Sequence, residues 1–232
     1  PSPLADLFLM FAFAPLFLSS LLHFSLVASS PQNRTIDDEL GDSVTGLKPT
    51  YLPEGGWNQG ASCSGCHFPK DKVFASSQVF DGTWHDATYR VGGEDMVITA
   101  NFVGRAVYVY FMVPNTAAIQ PTTTFMNVSF YVDQTTTPAG SFIHDPNSST
   151  DISYRQVVFA DNSLTNGTHT LTMRASGPNE SLVLFDYIVY TIDVEDPPSA
   201  SSTSSSTAAT SSSFANGENS PASKSKHPPG QS

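Results

Sequence analysis

Apolar residues recur at strand-like spacing in five stretches of the chain. Residues 96–102 (MVITANF) alternate large apolar with smaller or polar side chains, the pattern of a strand with one face in solvent, whereas residues 106–113 (AVYVYFMV) are apolar on both faces and read as a more buried strand. Residues 125–132 place Met126, Val128, Phe130 and Val132 on one side and Asn127 and Ser129 on the other. Residues 168–175 repeat that logic, with Leu171 and Met173 set against Thr170, Thr172 and Arg174. Residues 181–194 are apolar on both faces apart from Asp186 and Asp193. Gly92-Gly93, Asp145-Pro146-Asn147 and Asn166-Gly167 punctuate these runs as turn formers, and nothing beyond Pro31 has sustained helical spacing. The pattern predicts an all-β domain over residues 73–196, an antiparallel β-sandwich or jelly roll.

The flanks differ in character. Residues 4–27 are apolar with few interruptions and lead into Ala28-Ser29-Ser30, so residues 1–30 read as an export signal cut near Ser30. An uncleaved membrane anchor and a buried helix are the alternatives for the same stretch. Residues 31–72, rich in Gly, Pro, Asp and Asn, are expected to be an irregular lead-in carrying a Cys-x-x-Cys loop. Residues 197–232 are dominated by Ser and Thr, and so little apolar side chain cannot offset the entropy of ordering them. They read as a disordered stalk suited to O-glycosylation.

Charge narrows the partners. The formal net charge of -11 comes from scarce Lys and Arg with scattered acidic residues. That excludes a clustered basic surface for nucleic acid and disfavours an anionic membrane surface. Asn-x-Ser/Thr sequons begin at Asn33, Asn127, Asn147, Asn166 and Asn179, on the polar side of a strand or in turn-like sequence, as expected of an extracellular glycoprotein.

Cys63-Ser64-Gly65-Cys66-His67 has the form used to attach c-type haem. A redox dithiol and a zinc site are further readings, but no helix start accompanies the first cysteine and no spacing supplies two more ligands. A short disulfide between Cys63 and Cys66 is the favoured reading, in keeping with an oxidising compartment. In Gly82-Thr83-Trp84-His85-Asp86 the adjacent His and Asp would point to opposite faces of a strand and so would not form an oriented pair. With no nucleophile elbow and no second His motif, the sequence predicts neither a catalytic residue nor a metal or other cofactor.

In order, Trp57-Asn58-Gln59-Gly60, Cys63-x-x-Cys66, Asp81-Gly82-Thr83-Trp84-His85-Asp86, Leu164-Thr165-Asn166-Gly167-Thr168-His169-Thr170-Leu171 and Leu184-Phe185-Asp186-Tyr187-Ile188-Val189-Tyr190 form a recognisable set. It resembles the ectodomain of a group of basidiomycete fungal surface proteins. The resemblance implies a galactose-binding-like jelly roll, a Ser/Thr-rich stalk and a following membrane helix. This sequence ends at Ser232, before such a helix, which leaves a truncated chain and a secreted form both open.

The expected function is a non-catalytic extracellular or cell-surface module that binds glycans of a cell wall or surface. Candidate contacts are Trp57, Trp84, His85, Asp86 and Tyr89, because aromatic faces match the apolar faces of a pyranose and polar side chains bond its hydroxyls. Trp84 and Tyr89 are equally readable as core anchors. A structural or adhesive wall glycoprotein is the alternative function, and a secreted hydrolase or esterase the third.

Overall fold

The computed structural model describes residues 29–64, 66–68, 75, 77–116 and 122–195; the apolar run before Ser29 and the Ser/Thr-rich tail lie outside them. Twelve strands carry the described chain: β1 Ser29–Asp37, β2 Gly41–Asp42, β3 Thr50–Leu52, β4 Asn58–Gln59, β5 His85–Tyr89, β6 Met96–Gly104, β7 Ala106–Pro114, β8 Met126–Val132, β9 Gly140–His144, β10 Ile152–Asp161, β11 Gly167–Ala175 and β12 Ser181–Glu195. All pair antiparallel, in two sheets. The first runs β10-β7-β12-β1-β2, and the second β3-β6-β11-β8-β9. In the first sheet β5 also pairs with β12, at residues 181–185, while β1 takes residues 187–195. β7 occupies the opposite side of β12, so β5 and β1 lie end to end along one side of this strand.

Counted over the eight strands β5 to β12, the first sheet reads one-eight-three-six and the second two-seven-four-five. That is the double Greek key of a jelly roll. The anticipated all-β, antiparallel jelly-roll β-sandwich is what the structure shows.

Alternation decides which face each strand buries. Ile98, Ala100 and Phe102 of β6, Met126, Val128 and Phe130 of β8, and Leu171 and Met173 of β11 all turn into the core. Phe130 joins the two sheets, stacking on Phe159 of β10 at 4.8 Å and lying 6.5 Å from Phe111 of β7.

The two sheets differ on their outer faces, and that difference positions the candidate site. β12 is buried from Ser181 to Thr191 apart from Val189, and the segment that precedes β5 crosses the first sheet. Phe80 stacks on Tyr187 at 4.3 Å, its amide donates to Asp186, Arg155 donates to the Gln78 carbonyl, and the Tyr154 hydroxyl accepts from the Ala75 amide. Trp84 is wholly buried against Gly60, where a Cβ would stand 1.9 Å from the indole nitrogen. The second sheet instead turns Thr99 and Asn101 of β6, Thr170, Thr172 and Arg174 of β11, and Asn127, Ser129 and Tyr131 of β8 outward, all half-buried or exposed.

One expectation is corrected. The stretch after Pro31 is not an irregular lead-in, because β1 pairs with β12 over nine consecutive positions and β3 extends the second sheet along β6. β1 takes its register from β12 rather than from an apolar face of its own: its only buried positions are Ile36 and Asp37, so alternation leaves no visible trace in the sequence. Among the described residues no helix is long and apolar enough to cross a membrane.

Candidate functional site on the open sheet

Two polar constellations stand out, one closed and one open. The closed one is built on the loop after β1. Asp37 Oδ1 accepts the Glu39 and Leu40 amides at 2.9 and 2.6 Å, which folds the acidic Asp37-Asp38-Glu39 run into an Asx turn. Asp38, 1% exposed, accepts from Thr83 Oγ1 at 2.7 Å and holds His85 Nδ1 at 2.7 Å. The ring of Tyr51 lies flat on the imidazole, 3.9 Å between centroids, and its hydroxyl donates to the Asp38 carbonyl.

Burial raises Asp38 above the ordinary carboxylate range, with the His85 and Thr83 hydrogen bonds pulling back. Asp186, fully buried, is pushed up to about 8 by burial, and the charges of Asp38 and Asp37 add to the rise. One of its oxygens takes the Phe80 amide while the other has no hydrogen-bond partner. Among the described residues no hydroxyl is bonded to the imidazole of this Asp–imidazole pair: Thr83 donates to the carboxylates and Tyr51 to the Asp38 carbonyl. Among the described residues no group of His, Cys, Asp or Glu is arranged to hold a metal ion.

The open constellation lies on the outer face of the second sheet. Tyr131, Thr172 and Arg174 form the floor of a cleft of about 410 Å³, and Gln134, Thr135 and Thr136 from the β8–β9 turn form its wall. Register brings Tyr131 directly opposite Thr172. The Arg174 guanidinium carbon lies 5.4 Å from the centre of the Tyr131 ring, and Asp95 stands 3.7 Å from Arg174 Nε on the other side.

The wall is held by a clamp. Asp133 and Gln134 both take left-handed backbone angles, φ 56°, which turns the chain out of β8. Asp133 Oδ1 accepts the Thr170 amide at 3.0 Å, and its Oδ2 lies 2.8 Å from His169 Nδ1. His169 Nε2 donates to the Thr165 carbonyl at 2.7 Å. Burial opposes a charge on His169, but the bonds to the Thr165 carbonyl and to Asp133 outweigh it and lift the imidazole above its ordinary value. The Thr168-His169-Thr170 motif thus fixes the turn overhanging the cleft.

The five side chains singled out from the sequence do not form one surface. Trp84 is 0% and Tyr89 5% exposed, and the Tyr89 hydroxyl is spent on the Gly177 carbonyl, so neither can meet a ligand. Both are core anchors, which corrects their reading as sugar contacts. Trp57 is half-buried, donates to the Leu52 carbonyl and lies 5.3 Å from Tyr51, whose other neighbour is His85. Asp86 faces elsewhere, lining a cavity of about 420 Å³ with Cys63, Cys66 and His67. As expected from the strand pattern, His85 and Asp86 do not pair; His85 finds Asp38 instead, 47 residues away. Cys63 and Cys66 form a disulfide, with their Cα atoms 5.5 Å apart.

Of the sequons, Asn147, Asn166 and Asn179 are exposed. Asn127 is half-buried on the outward face of β8, and Asn33 is exposed on β1, accepting from Thr191.

The fold defines the chain as an antiparallel jelly-roll β-sandwich. No family model matches it, and no curated protein matches it in sequence. In shape it is similar to a solved structure described as "Crystal structure of Agl-KA catalytic domain", at 12% identity and a TM-score of 0.39 over 76% of this chain. The chain spans only 30% of the length of that protein, and a likeness this distant carries no reading of activity.

Proposed function

We propose that this chain is the non-catalytic, extracellular or cell-surface module of a glycoprotein, and that it binds carbohydrate in the Tyr131–Arg174 cleft. The observation that supports this most is an aromatic ring on a solvent-open sheet face, with a guanidinium over it and an amide and three hydroxyls around it, in a cleft of about 410 Å³. A pyranose presents an apolar C–H face that packs on an aromatic ring and a rim of hydroxyls that need both donors and acceptors. Tyr131 supplies the first requirement, and Arg174, Gln134, Thr135, Thr136 and Thr172 the second. The non-catalytic part of the reading draws on the Asp38–His85 pair, in which the Thr83 hydroxyl donates to Asp38 and, among the described residues, none donates to the imidazole.

Binding to immobilised glycans tests this directly. Wild type should bind a subset, Tyr131→Ala should abolish the signal with the fold intact, and Trp57→Ala should leave it unchanged. A folded wild-type protein that binds no glycan would instead favour a structural or adhesive wall glycoprotein without a small ligand.

A further inference from the structure

A second cleft, about 340 Å³, opens where the loop after β2 meets the ends of β6, β11 and β12. Its walls include Leu47, Val103, Tyr190 and Ile192, and its rim includes Asn166 and Thr168. Leu47 is 62% and Val103 56% exposed, so two large apolar side chains face water at one place. Asn166 and Thr168 are the acceptor and the hydroxyl residue of one sequon. Of the exposed sequon residues Asn33, Asn147, Asn166 and Asn179, only Asn166 lines any of the three cavities described.

We propose that this cleft seats the protein's own N-glycan: the sugars nearest Asn166 lie over Leu47 and Val103 instead of projecting into solvent. The inference rests on the extracellular glycoprotein reading. In the transfer the Asn166 side-chain nitrogen bonds to the anomeric carbon of a lipid-linked oligosaccharide. The bond from that carbon to the pyrophosphate oxygen breaks, the lipid pyrophosphate leaves with the electron pair, and the amide nitrogen gives up one proton to a base. The first N-acetylglucosamine then sits within reach of the cleft, where its apolar face covers the exposed aliphatic side chains and its polar groups meet Arg34 and Asn101 at the same walls. An apolar opening that would otherwise invite association is thereby closed within the molecule.

The test uses the full chain secreted from a eukaryotic host, with glycopeptide mass spectrometry at each sequon. Native protein is then trimmed with an endoglycosidase that cuts between the first two sugars. A seated glycan is cut only when it lifts away, so Asn166 should be trimmed about tenfold more slowly than Asn179. The difference should vanish on denaturation and in a folded Leu47→Ser/Val103→Ser variant. Equal trimming rates, or slow trimming unchanged in that variant, would overturn the proposal. So would a bare Asn166 beside occupied Asn147 and Asn179, which leaves the glycoprotein reading standing. A chain bare at every sequon would overturn both.

Discussion

Asp133 and His169 meet across 36 residues of sequence, carboxylate to imidazole at 2.8 Å, and this contact ties the β8–β9 turn to β11 at the edge of the candidate cleft. The imidazole is buried and uses its second nitrogen on a backbone carbonyl, so both nitrogens are placed to donate. A site on the open sheet therefore has one mobile-looking wall that is in fact pinned.

The clamp has a pH signature. The folded imidazole of His169 is lifted above its ordinary value of 6.5, so its contribution is fully present below that pH and is lost as pH rises through the folded value. Asp133 is held below the ordinary carboxylate value of 3.8, chiefly by His169, so its contribution is present above that pH and is lost as pH falls through the folded value. His169→Gln should cost about 2 kcal/mol at pH 5.5 and clearly less at pH 8.5, read by urea denaturation at both. The same variant should speed hydrogen exchange at Gln134 and Thr135 more than in β12.

Asp186 also loses its contribution as pH rises, but here burial is the cause. A carboxyl pushed up to about 8 is at home in the fold only when protonated, so its contribution is full below 3.8 and is lost as pH rises through about 8. Asp86, pushed up to about 6 by burial, adds to the decline in the lower part of that range. Asp186→Asn keeps an oxygen for the Phe80 amide and removes the charge. It should be more stable than wild type by at least about 2 kcal/mol at pH 8.5, with the gap shrinking towards pH 4.5. Parallel loss of stability in both proteins as pH rises would count against this account of the buried acids.

Two glycines separate packing from turn chemistry. A Cβ at Gly60 collides with the Trp84 indole, while one at Gly167 meets nothing within 4 Å. Gly60→Ala should cost about 3 kcal/mol by forcing apart the segment that covers the first sheet, and Gly167→Ala should be near neutral. Thermal melts of the two variants side by side give the answer.

The sequence showed what depends on local alternation and hid what depends on partners far along the chain. Strands β6, β7, β8, β11 and β12 were legible because each buries at least one continuous apolar row. β1 and β10 were not. β1 carries Ser, Gln, Asn and Arg on a strand stabilised by β12, and β10 is interrupted by bulges where Arg155 takes φ 50°. The doubly apolar pattern of β12 did not say that the stretch carrying Phe80, which stacks on Tyr187 and donates to Asp186, would lie over it. The site followed the same rule. Trp84 looked like a binding residue because aromatic side chains serve cores and ligands alike, and only burial tells them apart. Arg174 was visible as an outward position of its strand and Tyr131 was not singled out, because the cleft depends on the turn that Asp133 and His169 hold against β11.

The central claim is that the outer face of the second sheet is the binding face. Its most direct test is a set of amide chemical-shift maps of isotope-labelled protein titrated with a panel of neutral oligosaccharides. The account predicts saturable shifts concentrated at Tyr131, Gln134, Thr135, Thr136, Thr172 and Arg174, weakened about tenfold or more in affinity by Tyr131→Ala. Shifts centred on Trp57 and His85, or no saturable shift with any member of the panel, would contradict it.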